Sequence, residues 1–362
     1  MGRGEIGGAG CLAFRQAQGE RLGVDLRRDR GERLGTACRY ALGERGAVVC
    51  PSYLQIGSRH LRLQAASRSL NRMPGYDRRA GGAKFMAANQ DARSRFVRGK
   101  RRALLLGKQA WQRMGRRPRT RQFVFVAGMQ RSGTNMVMDV LERSFRTDVY
   151  HETDPRAFHR FEMRPEPVIQ QLAARSHAPA FVIKALCELD LLPKLMESFA
   201  PARTLWVLRS ADDVVNSATR SFRNFPAQIA RLVRDRNSNQ WRGRGMSDET
   251  HGRLAALYHE GMNEPTAAAL TWYYRNILFF ENGFDQDDRL LLVSYEKLVT
   301  EPSVEFKRIF RFLEIPYSPW ISRIVFASSV QRRPPPSIEP GVRDLCSDLT
   351  QRFQICLERS NK

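Results

Sequence analysis

The 362-residue chain contains no run of about 18 apolar residues, the length that a membrane-spanning helix requires. Its opening residues also lack the apolar centre of a secretory signal, so the sequence predicts a cytoplasmic protein. The chain has only six cysteines, and no two of them stand close together in the sequence: Cys11, Cys38, Cys50, Cys187, Cys346 and Cys356. We therefore expect reduced thiols, with neither a disulfide framework nor a zinc site.

Acidic residues are scarce in the first third of the chain. Residues 1–121 hold 28 Lys and Arg against 8 Asp and Glu, a net +20, whereas residues 122–362 hold 32 against 29, a net +3. Because residues 1–85 follow no helical or strand period, we predict a basic, low-order extension over residues 1–100. The alternative to a low-order extension is a basic segment that binds nucleic acid or an anionic membrane surface. Of these two partners we expect only the membrane, through a peripheral contact.

The segment that joins this extension to the rest is helical in pattern. Residues 101–117 alternate basic and apolar side chains as an amphipathic helix does. Such a helix either lies on a membrane surface or packs on the adjoining domain, and packing is the favoured alternative. We divide the chain into the extension, this helix and linker over residues 101–120, and a domain over residues 121–357.

Short apolar runs alternate with helical patterns through this domain. The pattern predicts buried strands at Gln122–Ala127, Ala180–Lys184, Arg203–Leu208 and Arg289–Ser294. Helices are predicted at Asn135–Phe145, Leu191–Phe199, Ala211–Phe222, Val304–Leu313 and Thr266–Phe280. This alternation indicates an α/β fold with a parallel central sheet covered on both faces. Ser221–Pro265 interrupts it, with one helix at Gly252–Gly261, and such an interruption is typical of a lid or substrate loop.

A glycine-bearing turn, Gly128–Gly133, joins the first strand to the first helix of the domain. Glycines let the backbone approach an anion, and free N–H groups then point at it from the helix N-terminus. A nucleoside-triphosphatase loop requires lysine directly after the second glycine, where this chain has Thr134. The positive charge lies earlier, at Arg131, so the loop argues against ATP or GTP hydrolysis.

A second candidate anion site follows the strand Arg203–Leu208. Arg209 stands at the end of that strand, and its guanidinium offers bidentate contacts to a phosphate. Ser217 lies two turns into the following helix and adds a hydroxyl on the same side.

Three stretches together resemble the sulfotransferases that use 3′-phosphoadenosine 5′-phosphosulfate, which have a P-loop-like fold. In that family a strand, loop and helix bind the 5′-phosphosulfate, matched here by Arg131, Ser132, Gly133, Thr134 and Asn135. A later arginine and serine bind its 3′-phosphate, matched by Arg209 and Ser217. The third likeness, to the family's C-terminal half, is carried by Val293–Leu298, Glu301–Pro302 and Phe310–Leu313.

The resemblance covers about residues 120–357 and implies this donor as co-substrate, with no metal. The Arg-Ser-Gly-Thr form of the loop is similar to the Golgi-type and bacterial branch of the family, and the bacterial soluble members most of all. The implied reaction moves a sulfuryl group to a hydroxyl or amine of a carbohydrate or small-molecule acceptor. A small-molecule kinase is the alternative, and so is a nucleic-acid or membrane-surface protein acting through the basic N-terminal region.

The resemblance also suggests the catalytic residues. Arg131 is expected to stabilise charge on the leaving phosphate, and Lys184 aligns with a lysine that cytosolic members carry. Those members place a catalytic histidine two residues later, where this chain has Leu186. We therefore expect a carboxylate base, Glu152. The rival candidates for the general base are His151, Asp154 and Glu188. In the basic segment 328–333, Arg332 is a further candidate contact to the donor.

Overall fold

The computed structural model describes residues 99, 101–115, 118–238, 240–325 and 333–359. The proposed extension therefore lies outside the described residues except at Gly99, and so does Arg332. Seven strands form in the described part: β1 Gln122–Ala127, β2 Thr147–Tyr150, β3 Phe158–His159, β4 Glu162–Met163, β5 Ala180–Ala185, β6 Ala202–Leu208 and β7 Leu290–Ser294. Five of them make a parallel sheet in the order β2-β5-β1-β6-β7, and β3 pairs with β4 as an antiparallel hairpin. The predicted α/β class with a central parallel sheet is confirmed.

Helices of different lengths connect the strands. They are α1 over residues 101–114, α2 Thr134–Glu142, α3 Glu166–Arg175, α4 Leu192–Ser198, α5 Ala211–Ser221, α6 Phe225–Arg234, α7 Asp248–Leu257, α8 Glu264–Asn276, α9 Leu278–Glu281, α10 Tyr295–Thr300, α11 Pro302–Phe312 and α12 Pro340–Arg359. Polar side chains cap the N-termini of α5, α7, α8 and α10 by accepting a hydrogen bond from the backbone: Ser210, Ser247, Asn263 and Ser294. In the part of the chain described, no helix is both long and apolar enough to cross a bilayer.

The sheet is buried on both faces because its strands alternate their side chains between two cores. In β1, Phe125 belongs to one core, and Val124 and Val126 belong to the other. Residues of α4, α5, α6, α8 and α12 fill the first core, while α2, α10 and α11 fill the second. Continuous apolar strands such as β5 are the expected result of this arrangement.

The predicted strands match the observed ones closely. The bounds of β1 agree, and those of β5, β6 and β7 differ from prediction by one residue at one end. The interruption predicted as a lid or substrate loop contains two helices, α6 and α7. Within it, α6 buries Phe225, Ile229 and Leu232 in the first core, which explains why this segment folds onto the domain.

Helix α1 packs on the domain through polar side chains. The buried Lys108 ammonium donates to the Glu142 carbonyl at 2.7 Å and contacts the Thr147 hydroxyl at 3.1 Å. The Gln112 amide donates to the carbonyl oxygens of Phe145 and Thr147, each at 2.9 Å. Burial lowers the pKa of Lys108 to about 8, because removal from water disfavours its charged form. The favoured expectation for this segment, packing on the domain, is what the structure shows.

Candidate active site

The loop between β1 and α2 has a backbone that requires its two glycines. Gly128 has φ +127° and Gly133 has φ +96°, in the region that side chains other than glycine rarely adopt. A Cβ on Gly128 would lie 2.5 Å from the Val207 carbonyl oxygen, and one on Gly133 would overlap the Tyr295 ring. The loop therefore passes directly against β6 and α10, and Gly133 leads straight into α2.

The loop also presents unsatisfied polar groups. Ser132 is fully buried, and its hydroxyl has no hydrogen-bond partner among the described residues. Helix α2 has no side-chain cap, and its first backbone bond runs from Met136 to the Gly133 carbonyl, so the N–H groups before Met136 have no acceptor within the helix. Buried polar groups normally find a partner, so a loop with this combination is suited to holding an anion.

We expect a methyl group at Gly133 to disrupt this loop. Gly133→Ala should lower the free energy of unfolding by about 2–4 kcal/mol, because it adds left-handed strain and overlaps the Tyr295 ring. Gly252→Ala is the control, since Gly252 lies inside α7 with open space where its Cβ would be. The control should gain about 0.5–1 kcal/mol. Urea unfolding of both variants tests the prediction, and equal stability of Gly133→Ala and the parent protein would contradict it.

Two arginines and a serine meet beside this loop. The Arg131 Nε donates to the Ser217 hydroxyl at 2.9 Å, and the Arg209 Nη1 donates to the Arg131 carbonyl oxygen at 3.3 Å. Arg209 is also held by Asp213 at 3.3 Å and lies over the Tyr295 ring, 4.4 Å from its centroid. The structure thus brings both sequence-predicted anion sites into direct contact, at the carboxyl ends of β1 and β6.

A lysine and a carboxylate form a second cluster on the other side of the loop. Lys184, near the end of β5, is 2 % exposed, and its ammonium contacts the Asn135 side-chain oxygen at 2.6 Å. The same ammonium lies 2.9 Å from a carboxylate oxygen of Glu152, which follows β2. Burial lowers the pKa of Lys184, and the nearby Glu152 charge partly offsets that effect. Asn135 therefore links the first turn of α2 to the Lys184 ammonium.

The three rival base candidates have other partners. His151 lies 3.4 Å from a carboxylate oxygen of Glu142, the last residue of α2, and Asp154 pairs with Arg156 at 2.6 Å. Glu188 accepts the Met163 backbone N–H at 2.7 Å, and burial raises its pKa to about 7. Of the four carboxylate and histidine candidates, Glu152 is the one paired with Lys184.

Two residues of the site were not singled out from the sequence. Tyr295 lies against both Gly133 and the Arg209 guanidinium, and Trp272 donates its indole N–H to the Arg209 carbonyl at 3.1 Å. The position of Tyr295, immediately after β7, was the available signal, because residues after parallel strands collect at one edge of the sheet. Trp272 belongs to the first core and is 1 % exposed.

One family model and several solved structures are similar to this chain. The sequence model of the sulfotransferase domain matches residues 121–332. A sulfotransferase domain from the curacin biosynthetic pathway is 15 % identical, with a TM-score of 0.43 over 64 % of this chain and 99 % of that one. A sulfotransferase from Alicyclobacillus acidocaldarius is 15 % identical, with a TM-score of 0.36 over 67 % and 94 %.

Mouse sulfotransferase SULT7A1, solved in complex with PAP, is 15 % identical, with a TM-score of 0.32 over 71 % of this chain and 88 % of that one. No curated protein sequence matches the chain. The sulfotransferase domain spans more than half of the chain and includes the glycine loop, Lys184, Arg209 and Ser217. On that ground the chain belongs to the sulfotransferase domain family.

Proposed function

We propose that this protein transfers a sulfuryl group from 3′-phosphoadenosine 5′-phosphosulfate to a hydroxyl or amine of a carbohydrate or small-molecule acceptor. The observation that carries the proposal is the contact between the two anion sites, in which Arg131 of the loop bonds Ser217 while Arg209 bonds the Arg131 carbonyl. A donor with phosphate groups at both its 5′ and 3′ positions needs two such sites within one nucleotide's length of each other.

The residues present fit such a donor. The buried Ser132 hydroxyl and the N-terminus of α2 provide donors for the 5′-phosphosulfate at the loop. Arg209 and Ser217 provide a guanidinium and a hydroxyl for the 3′-phosphate. Arg131 and Arg209 bring two guanidinium groups to this side of the site, where Asp213 pairs with Arg209, and such positive groups favour a polyanion.

The chain's own residues then have distinct tasks. When bound, the donor supplies an activated sulfuryl group whose leaving group is a phosphate. Arg131 stabilises the negative charge that grows on that phosphate, as positioned cations do in loose in-line transfers. Lys184, bonded to Asn135 of α2 and to Glu152, places a second positive charge between the loop and the carboxylate.

Glu152 is the proposed general base. Its side chain is 27 % exposed, so an acceptor hydroxyl has access to it, whereas its partner Lys184 is buried. The carboxylate accepts the proton of the acceptor as the acceptor oxygen attacks, and the Lys184 ammonium orients it. Asp154 is committed to Arg156, and Glu188 to the Met163 backbone, which leaves Glu152 as the better-suited carboxylate.

Calorimetric titration with 3′-phosphoadenosine 5′-phosphate tests the donor assignment. We expect binding that Ser217→Ala weakens about tenfold or more, because the variant loses a hydrogen bond to a charged group. Ser221→Ala, on the same helix, is the matched control and should bind as the parent does. Absence of binding would reject the proposal. Binding of ATP with magnesium in its place would support the kinase alternative instead.

A further inference from the structure

Helix α1 faces the domain with two buried polar side chains and with the half-buried Leu104 and Leu105, and it leaves larger apolar side chains exposed. Lys108 and Gln112 are buried, at 3 % and 7 % exposure. Leu106, Trp111 and Met114 are 59 %, 42 % and 80 % exposed on the same helix. A helix whose apolar residues serve only to pack on a domain would turn all of them inward. The exposed side of α1 therefore calls for an explanation other than packing.

The exposed side chains form one continuous stripe. Leu106, Ala110 and Met114 recur every four residues, so they lie one above the other on a single helix face. Two exposed arginines border this stripe. Arg102 lies one turn before Leu106, and Arg113 lies seven residues after Leu106. We call the exposed face formed by these five residues the α1 stripe.

The surroundings of the α1 stripe are basic. The Arg146 guanidinium lies over the Trp111 ring, 5.4 Å from its centroid, and Arg119 is exposed just after the helix. The first 121 residues of the sequence carry a net charge of +20. An apolar stripe bordered by arginines suits the boundary between lipid headgroups and acyl chains. A nucleic acid would pair with the arginines but would leave Leu106 and Met114 without a partner.

We propose that the α1 stripe is a docking surface for an anionic lipid bilayer. In the bound state Leu106, Ala110 and Met114 insert at the headgroup boundary, and Arg102 and Arg113 pair with lipid phosphates or carboxylates. The helix lies in the plane of the interface. At 14 residues its length is roughly 21 Å, less than the hydrocarbon core of a bilayer.

The proposed docking surface lies on a helix that is connected to the active site. Helix α1 contacts Glu142, which ends α2, and Thr147, which begins β2. The Glu142 carboxylate also lies 3.4 Å from His151, which directly precedes Glu152 in the sequence. Helix α1 is therefore connected to the proposed base through Glu142 and His151.

Vesicle sedimentation of the full chain tests the proposal. The probes are vesicles of phosphatidylcholine alone and vesicles of phosphatidylcholine mixed with phosphatidylserine, with nucleic acid removed beforehand. We expect binding to the mixed vesicles only. The double variant Leu106→Ser with Met114→Ser should weaken that binding at least tenfold, because it removes the two largest apolar groups of the stripe.

A matched control separates this effect from a general loss of apolar surface. Val304→Ser with Ile355→Ser changes two side chains that are 60 % and 45 % exposed on α11 and α12, and should leave vesicle binding unchanged. All variants should retain the parent's affinity for 3′-phosphoadenosine 5′-phosphate, so the donor assignment is tested separately. The proposal is overturned if the full chain does not sediment, or if the Leu106 and Met114 variant sediments like the parent. The second outcome would assign binding to the basic residues alone.

Discussion

Replacing Glu152 by glutamine should lower kcat by about 10²–10⁴-fold, because glutamine keeps the shape of the side chain but cannot accept the acceptor's proton. Glutamine also retains an oxygen for the Lys184 ammonium, which lies 2.9 Å from the carboxylate. Affinity for 3′-phosphoadenosine 5′-phosphate should stay near that of the parent, since Glu152 is not among the residues proposed to hold the donor. The measurements are steady-state kinetics of sulfuryl transfer, with an acceptor that the parent protein sulfates, and calorimetry of 3′-phosphoadenosine 5′-phosphate binding.

The rival candidates supply the controls for this prediction. Asp154→Asn and Glu188→Gln should each retain most of kcat, because their carboxylates already contact Arg156 and the Met163 backbone. An unfolding curve for each variant separates catalytic from structural loss, since removing one member of a buried charge pair is destabilising. A large loss of kcat in Asp154→Asn or Glu188→Gln, with Glu152→Gln fully active, would reassign the base.

Arg131→Ala should lower kcat/KM by about 100-fold or more, the scale of losing one charge-stabilising group in an active site. The variant also loses the 2.9 Å hydrogen bond to Ser217. Arg131→Lys should recover part of the activity, since it restores the charge but not the fork of donors that an arginine offers. Steady-state kinetics with varied donor concentration measure both effects.

An arginine at the opposite edge of the sheet provides the reference. Arg175 is exposed in the last turn of α3, shortly before β5 begins. Arg175→Ala should therefore leave kcat/KM unchanged while altering the net charge by the same amount. Full activity of Arg131→Ala would remove this residue from the proposed mechanism, and Lys184 would then be the remaining cation near Glu152.

The main strands were predictable because their signal is local. Gln122–Ala127 is an uninterrupted apolar and β-branched run bounded by basic and glycine residues, and it forms β1 with those bounds. Strand β2 was missed because it is a four-residue edge strand, Thr-Asp-Val-Tyr, with polar residues among its apolar ones. Helices α3 and α12 were missed as well. Both carry many polar residues, and their place is set by partners far away in the sequence.

The candidate site likewise has one part that the sequence predicts and another that it does not. The glycine loop was readable from the sequence, because the turn from strand to helix requires residues of a few types at fixed spacing. The pairing of Lys184 with Glu152 was not, since the two are joined by strand order and not by spacing. Their roles in the reaction stay predictions.

The sequence by itself therefore determined the fold class and the position of the glycine loop, and it predicted the residues of two candidate phosphate sites, since each depends on residues close together in the chain. Only the tertiary structure decided that Arg131 contacts Ser217 across 86 residues, and that Glu152 and not Glu188 reaches Lys184. It also decided that α1 turns Lys108 inward and Met114 outward. Those outcomes depend on which elements pack together, and packing is fixed by the order of strands in the sheet and not by local sequence.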